Sequence, residues 1–335
     1  MASGNGLAQT GPAESRPAMI EVRGLSRWFG STCAVRNLSL AVPAGSVLGF
    51  IGPNGAGKTT TMRILATLDE PDLGDALVDG FSVVDDADRV RSRIGYVPDA
   101  YGAYANVSCV EYLDFFARSY GLVGRPRMDA VNRVIEFTRM GHMLHKPMNG
   151  LSKGMKQRLC LGRALIHDPK VLILDEPAAG LDPRARIELK EMIGQLAAAG
   201  KSLLISSHIL TELAEMCDRL AIIERGELLA EGPVEQILRG QAFAHQEPAE
   251  VSRVTLQVTL LGEAGPACEW LRSARQLEAG VIAEQTLELV VADEPAEHAQ
   301  LLRELVQAGF AVTRFTTKSR TLEEAFLKVT RGNVQ

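Results

Sequence analysis

A glycine-rich stretch that directly follows a short apolar run constrains the fold of this chain more than any other feature. The stretch, residues 52–60, fits the pattern G-x-x-x-x-G-K-[ST], and residues 47–51 before it read as a buried strand. A strand that feeds such a loop, with a helix after it, directs backbone N–H groups and the positive end of the helix dipole at phosphate oxygens. We therefore predict an α/β fold that binds nucleotide at this loop.

The residue types of the loop suit contact with phosphate. The glycines allow the backbone to curl, Lys58 reaches the β- and γ-phosphates, and the Thr59 hydroxyl is a ligand for Mg²⁺. The alternative is a chance match in a glycine-rich turn, which the preceding strand makes the weaker interpretation. The expected nucleotide-binding residues are Gly52, Pro53, Asn54, Gly55, Ala56, Gly57, Lys58, Thr59 and Thr60.

Length and composition narrow the class of protein. The chain has 335 residues, which suits two domains, and its net charge of −5 argues against a surface that wraps nucleic acid. Its five cysteines are scattered without a C-x-x-C pair, and most sit among apolar neighbours, which indicates mainly small buried thiols in a reduced, cytosolic protein. No apolar stretch reaches membrane-spanning length, and residues 1–18 are expected to form a flexible tail and not a signal peptide.

The first domain is predicted over residues 19–240, with a helical subdomain at about 100–168. Continuous apolar runs separated by a helical segment indicate buried parallel strands that a crossover helix connects. The expected strands are 20–27, 38–42, 47–51, 171–174, 202–206 and 220–223, and the expected helices are 110–120, 130–140 and 184–199.

A polar linker at residues 241–250 is expected to lead into a second domain over 251–335. The order of its elements suggests a small βαββαβ-like α+β domain closed by one more helix. It contains no cluster of catalytic residue types, so we favour a packing or dimerisation module over a ligand sensor. The expected strands are 254–260, 281–283, 286–291 and 312–316, and the expected helices are 267–277, 296–308 and 322–329.

Two carboxylates complete the chemistry that the glycine-rich loop begins. Asp175 and Glu176 directly follow the apolar run 171–174, which places them at the carboxyl edge of the sheet, where ligands collect in α/β folds. Asp175 suits the shell of Mg²⁺, and Glu176 suits orienting or deprotonating an attacking water. A solvated turn is the usual alternative for an Asp-Glu pair, and the loop upstream favours the functional interpretation.

Residues 151–158 open a helix that carries polar and glycine residues at its start. Ser152 is a natural N-cap, and Gly154 leaves the backbone open to close approach. Taken alone, the segment is a capped amphipathic helix. It gains meaning only from the other motifs of the chain.

Together these motifs make residues 20–238 resemble an ATP-binding cassette (ABC) ATPase. Residues 52–60 resemble the Walker A motif and 171–176 the Walker B motif. Asp182 resembles the D-loop aspartate, His208 the switch histidine, and Phe29 the aromatic that stacks on adenine. The signature motif is resembled by Leu151, Ser152, Lys153, Gly154 and Met155.

The resemblance implies a P-loop NTPase fold of the ABC type, with a mixed sheet and a helical subdomain, that hydrolyses ATP with Mg²⁺. Glu176 and His208 are the implied catalytic residues, and Thr59 and Asp175 the implied metal ligands. It also implies a head-to-tail dimer in which Ser152 and Gly154 of one copy complete the γ-phosphate site of the other. One copy of each motif is present, so we expect a homodimer or a heterodimer with another cassette.

One position departs from the family pattern. Asp99 follows residues 94–98, where the family generally has a glutamine that contacts Mg²⁺. A carboxylate oxygen is also a good ligand for this hard cation, so we treat Asp99 as a further candidate metal ligand. The added charge leaves the coupling to a membrane subunit open.

Two further segments resemble parts of transporter cassettes. The aromatic-rich residues 101–117 resemble the region that docks a membrane subunit, and residues 320–330 resemble the terminal helix of cassettes from ABC-2-type exporters. We therefore expect the cytoplasmic ATPase subunit of such an exporter, bound to the inner face of the membrane through a separate polytopic permease. The alternatives are a soluble ABC ATPase with a regulatory role or one that acts on ribosomes or DNA. A single cassette without sustained heptads favours transport, and no nucleic-acid partner is expected.

Overall fold

A computed structural model describes residues 17–100, 102, 104, 106–238, 253–292 and 294–318. The chain divides into two compact units at Leu228 and Leu229, earlier in the sequence than the predicted linker. Residues 1–16 of the expected tail, the linker 241–250 and the closing helix 322–329 lie outside the described residues, as does the whole segment 320–330. The predicted domain limits therefore stay predictions.

The first unit contains most of the helices and strands. Its strands are β1 (Ala18–Phe29), β2 (Thr32–Pro43), β3 (Val47–Ile51), β4 (Leu73–Val78), β5 (Phe81–Ser82), β6 (Ile94–Val97), β7 (Val171–Leu174), β8 (Ser202–Ser207) and β9 (Arg219–Glu224), and β10 (Glu227–Pro233) crosses the division. Its helices are α1 (Lys58–Leu65), α2 (Ala87–Arg91), α3 (Cys109–Ser119), α4 (Gly124–Phe137), α5 (Lys153–Leu165), α6 (Pro183–Ala198) and α7 (Leu210–Ala214), and α8 (Val234–Leu238) follows β10.

A six-stranded sheet in the order β10-β9-β3-β8-β7-β6 places the ends of the functional segments side by side. The pairs β3/β8, β3/β9, β7/β8 and β6/β7 are parallel, and every residue of β3, β7 and β8 is buried. Strands buried on both faces read as continuous apolar runs, which is why their positions were predictable. Their carboxyl ends meet at one edge, where the phosphate loop and Asp175 follow.

A second, antiparallel sheet in the order β2-β1-β4-β5 shares one hydrophobic core with the first. Ile20 and Leu38 of this sheet, Phe50 of β3 and Met62 of α1 are all fully buried in that core. The helices α3, α4 and α5 pack on one another, as the predicted helical subdomain requires. Among the described residues, no helix has both the length and the apolar character that crossing a membrane requires.

The helix predicted over residues 130–140 differs most from the structure. It begins earlier, at Gly124, and ends at Phe137, because Arg139 has a left-handed φ of 54° that breaks the helical repeat. Met140 is fully buried although it lies beyond the helix. As an apolar residue at helical spacing, it was therefore included in the predicted helix. The helix predicted over 267–277 likewise ends at Arg275, where Gln276 turns the chain with a φ of 53°.

The second unit holds an antiparallel sheet of four strands with two helices. Its elements are β11 (Arg253–Leu260), α9 (Ala264–Arg275), β12 (Ala279–Ala283), β13 (Thr286–Ala292), α10 (Pro295–Gln307) and β14 (Val312–Lys318). The strand order β12-β13-β11-β14 is that of a ferredoxin-like βαββαβ fold. Alternate residues of β11, Leu256, Val258 and Leu260, are buried in its own apolar core.

Candidate functional site

Two glycines of the phosphate loop lie so close to neighbouring backbone that a side chain would collide with it. Gly57 caps the start of α1 with a φ of 103°, and a Cβ there would collide with the carbonyl oxygen of Ala34. A Cβ on Gly52 would collide with the carbonyl oxygen of Ile223 in β9. Glycine is therefore required at both positions, and the loop presents backbone to a ligand.

Lys58 lies with its ammonium between the loop and a carboxylate. Its Nζ donates to the carbonyl oxygens of Gly52 at 2.7 Å and Pro53 at 3.2 Å, and it lies 3.6 Å from Oε1 of Glu176. Burial lowers the pKa of Lys58, while Glu176 and Asp175 oppose that shift by favouring its charged form. The predicted phosphate cation and the predicted base are thus in direct electrostatic contact.

Asp175 is almost completely buried, at 1% exposure, directly after β7. Burial raises its pKa, and the nearby hydroxyls of Ser206 and Thr59 act in the opposite direction. Its Oδ2 has no hydrogen-bond partner among the described residues. A buried carboxylate oxygen without a partner, beside a threonine hydroxyl, fits the hard oxygen ligands that Mg²⁺ takes, with the remaining positions left to phosphate and water.

Glu176 has an unusual backbone and a defined partner. Its φ is 46°, in the left-handed region, which costs on the order of 1–3 kcal/mol for a residue with a side chain and recurs at functional sites. Its Oε2 lies 2.8 Å from Nδ1 of His208, at the end of β8. When Glu176 is ionised, its carboxylate can only accept, so Nδ1 of His208 must carry a hydrogen and donate a hydrogen bond to it.

Ser206 links the two acidic residues. Its Oγ accepts the backbone N–H of Glu176 at 2.8 Å and donates to Oδ1 of Asp175 at 2.6 Å. The sequence analysis missed this residue. Its position could have indicated it, because Leu174 of β7 pairs with Ile205 of β8, so that the next residues, Asp175 and Ser206, are also neighbours.

An open cavity of about 550 Å³ brings most of the predicted site residues together. Its walls include Lys58, Glu176 and His208, most of the phosphate loop, and residues around the β1–β2 turn. Among the predicted residues, its walls contain Phe29, Asn54, Gly55, Ala56, Gly57, Lys58, Thr59, Thr60, Asp99, Glu176 and His208. The cavity thus extends from the phosphate loop to an aromatic side chain.

Phe29 ends β1 and is 49% exposed. The guanidinium carbon of Arg27 lies 4.9 Å from the centre of its ring. Cys33 is half-buried in the same wall. An exposed ring in the wall of the cavity that the phosphate loop also lines suits stacking on a nucleobase.

Asp99 follows β6 at the edge of the same cavity and is exposed. Its charge contributes to the raised pKa of Asp175, after burial and the charge of Glu176. The residue therefore lies close enough to act on Asp175, and its role as a metal ligand stays a prediction. Among the described residues, no three acidic, histidine or cysteine side chains form a cluster that could hold a metal on its own.

The signature segment is built as a helix start that lies apart from this cavity. Ser152 caps α5 by accepting the N–H of Met155 at 3.3 Å, and Asp182 caps α6 by accepting the N–H of Ala185 at 2.8 Å. Leu151 is buried, and a Cβ on Gly154 would lie 3.1 Å from Cβ of Ala185. Neither these residues nor Lys153 line the cavity as the described residues define it.

Comparison with known proteins identifies the group that shares these features. The family model described as ABC transporter matches residues 35–179. Nod factor export ATP-binding protein I of Burkholderia lata is 34% identical over 95% of this chain and 99% of its own length. The uncharacterized ABC transporter ATP-binding protein YxlF of Bacillus subtilis is 33% identical over 93% of this chain and 99% of its own length.

Solved structures agree in fold. A structure described as the ATP binding subunit of an ABC transporter superposes with a TM-score of 0.61 at 30% identity, over 66% of this chain and 92% of that one. The similarity therefore confirms the fold class and the family that the motifs predicted.

Proposed function

Since the chain belongs to the family of ABC transporter ATP-binding proteins, we propose that it powers an exporter whose membrane-spanning part is a separate subunit. The chain is an ATP hydrolase of the ABC type. The observation that carries the assignment of its site is the contact between the phosphate-loop ammonium of Lys58 and Glu176, at 3.6 Å. Export is favoured by relatives over the whole chain that are named for Nod factor export.

In the proposed binding mode, different residues of the cavity wall contact the base and the phosphates of ATP. The exposed ring of Phe29 stacks on the base, the backbone of residues 52–57 receives the phosphates, and Lys58 moves its donors from the loop carbonyls to phosphate oxygens. Thr59 and Asp175 would hold Mg²⁺, with Asp99 as a further ligand, and these residues would thereby place positive charge beside the phosphates.

Hydrolysis uses the side chains of Glu176, His208 and Lys58. Glu176 takes a proton from water as the water oxygen attacks the γ-phosphorus, and the bond from that phosphorus to the bridging oxygen of ADP breaks. His208 holds the carboxylate of Glu176 in position through the 2.8 Å contact of its Nδ1. Lys58 stabilises negative charge that moves onto the leaving oxygen.

We propose that two copies are needed to complete each site. The N-terminus of α5, with Ser152 and Gly154, lies outside the cavity of its own chain and adds backbone donors to the γ-phosphate bound by a partner copy. Asp182, which caps α6, faces the same interface. A homodimer has two equal sites, and a heterodimer with another cassette is the alternative.

The membrane subunit is proposed to dock on the aromatic side of the helical subdomain. Rings of Tyr104, Tyr112, Phe115 and Phe116 form a chain of contacts with centroids 4.9–6.0 Å apart, and Tyr104 and Phe115 are more than half exposed. Exposed aromatic clusters are typical of protein interfaces. Docking there places the chain on the inner face of the membrane.

The test is purification of the tagged chain from its host after mild membrane extraction, followed by identification of what accompanies it and measurement of ATP turnover. We expect a polytopic membrane protein that raises turnover, and loss of that protein when Phe115 and Tyr104 are both changed to Asp. Copurification with ribosomal or DNA-bound proteins instead would contradict the export proposal and leave the ATPase site intact.

A further inference from the structure

We infer that Ser206 is a positioning residue for ATP hydrolysis, which locks Asp175 and Glu176 into one arrangement through a single hydroxyl. The inference rests on the proposed function, because that function assigns Asp175 and Glu176 their roles. It concerns a residue outside the motifs by which the site was predicted.

The hydrogen-bond chemistry allows only one direction for these contacts. The backbone N–H of Glu176 can only donate, so Oγ of Ser206 accepts it, and the one hydroxyl hydrogen is then directed at Oδ1 of Asp175. Both bonds are short, at 2.8 and 2.6 Å, and both are made at the same time. The serine therefore couples the backbone of the proposed base to the carboxylate of the proposed metal ligand.

The arrangement needs such a bond because the backbone at Glu176 is not in a relaxed conformation. With its φ of 46°, the residue would return to a β or right-handed conformation unless its N–H were held. Such a return would rotate the side chain away from Lys58 and His208. The hydroxyl of Ser206 holds the N–H of Glu176 and so keeps the carboxylate between them.

The same hydroxyl leaves Asp175 with one free oxygen. Oδ1 is occupied by the serine, and Oδ2 has no partner among the described residues. Ser206 is completely buried, so water cannot replace its hydroxyl at low cost. Asp175 is thus fixed with one oxygen bound to the protein and the other oriented for the cation.

A matched control lies on the same strand. Ser202, at the start of β8, is also completely buried, and its Oγ accepts the backbone N–H of Gly45 at 2.8 Å. Unlike Ser206, it lies at the opposite end of the strand from the two carboxylates. Ser202→Ala therefore measures what loss of a buried serine hydroxyl costs the fold.

The experiment compares Ser206→Ala, Ser206→Thr and Ser202→Ala in the full chain. For Ser206→Ala we expect kcat to fall about 10- to 100-fold, the loss of a hydrogen bond to a charged group, with little change in KM for ATP. Affinity for a fluorescent ATP analogue without divalent cation should stay within about twofold of the original, because the phosphate loop is untouched. Ser206→Thr, which keeps the hydroxyl, should retain most of the turnover, as should Ser202→Ala.

Several outcomes would overturn the inference. Normal turnover in Ser206→Ala would do so, and so would equal losses in Ser206→Ala and Ser202→Ala. Parallel loss of cation-free nucleotide binding and turnover would reveal a structural role only, and failure of Ser206→Thr to retain turnover would exclude the hydroxyl as the acting group. Should Ser206→Ala not fold, the nearly isosteric Ser206→Cys repeats the test with a weak S–H donor.

A separate variant distinguishes failure of this inference from failure of the proposed function. Glu176→Gln removes the proposed base directly. If it abolishes turnover while Ser206→Ala does not, the inference fails and the proposed function stands. If Glu176→Gln leaves turnover normal, the proposed site itself is wrong.

Discussion

The two units of the chain differ in what they bury. The first buries polar and charged side chains inside its core, whereas the described residues of the second have an apolar core without any. The buried polar and charged residues are Ser26, Ser46, Lys58, Thr61, Ser82, Thr138, Gln157, Asp175, Ser202, Ser206, Ser207 and Glu212. Burying such groups is costly unless they are paired, so their concentration in one unit needs an explanation.

Part of the explanation lies in the edge where β3, β7 and β8 end. There Ser206 bonds to Asp175 and to the backbone of Glu176, and Lys58 lies 3.6 Å from the Glu176 carboxylate. In the second unit Leu256, Leu289 and Leu305 pack together with no polar group among them, so burial there serves stability. The comparison assigns the chemistry to the first unit and supports a packing role for the second.

The largest expected effect is that of Glu176→Gln. Removing a general base lowers turnover about 10²- to 10⁴-fold, because the amide cannot take the proton from water. ATP binding should persist, and the variant should accumulate as an ATP-bound dimer. Single-turnover phosphate release and light scattering measure the two properties. A Glu176→Gln variant that stays monomeric and turns over ATP normally would contradict the assignment of the chemistry to the first unit.

A pair of core substitutions sharpens the comparison. Leu204→Ala in β8 and Leu256→Ala in β11 each remove a buried leucine from a sheet, so each should lower the free energy of unfolding by about 2–5 kcal/mol. Only Leu204→Ala should also weaken nucleotide binding, because Leu204 pairs with Leu48 of β3, the strand that leads into the phosphate loop.

The two tryptophans allow these effects to be followed separately. Trp28 belongs to the first unit, and Trp270 packs against Phe310 in the second, with ring centroids 6.0 Å apart. Urea unfolding of single-tryptophan variants, followed by fluorescence, therefore reports each unit. Impaired nucleotide binding in folded Leu256→Ala would contradict a packing role for the second unit.

Removal of residues after Gln241 tests the predicted domain limit. ATP affinity of the shortened chain should remain within about twofold, since the whole cavity lies before this position. Equilibrium binding of a fluorescent ATP analogue checks it, with circular dichroism to establish folding. Loss of binding in a folded product would place the limit elsewhere.

The smallest expected effect concerns a half-buried histidine of the first unit. His167 stacks on Tyr120, its Nε2 lies 2.9 Å from the carbonyl oxygen of Ile94, and burial lowers its pKa below the ordinary 6.5. The unfolded chain thus binds the proton more readily, so stability is full above pH 6.5 and falls as the pH drops through the lowered pKa.

The dependence of the free energy of unfolding on pH that this group causes corresponds to the uptake of at most one proton on unfolding. His167→Gln keeps a donor for the Ile94 carbonyl and does not titrate, so the stability of this variant should depend less on pH. Urea midpoints at neutral pH and in mild acid, for both proteins, measure the difference. Equal slopes would show that His167 does not contribute.

Most of the fold was predictable because its signals are local. The apolar runs that became β3, β7 and β8 and the caps Ser152 and Asp182 depend on neighbouring residues in the sequence. The left-handed turns at Arg139 and Gln276 were not predictable, because neither residue type signals a positive φ.

The site was predictable in its motifs and not in its connections. Lys58, Asp175 and Glu176 stand in recognisable patterns, whereas Ser206 acts only through the register of two strands that lie 30 residues apart along the chain. The backbone strain at Glu176 likewise depends on its surroundings. Such features are long-range, and periodicity in one segment does not contain them.

Mixing two inactive variants tests the account most directly, because it asks whether the site needs both the phosphate loop of one copy and the signature helix of another. Lys58→Ala destroys the loop, and Ser152→Arg blocks the start of α5. A mixed dimer holds one site with both parts intact, so the mixture should recover about a quarter of the original turnover, while each variant alone stays inactive. No recovery on mixing, with both variants folded and able to dimerise, would contradict it.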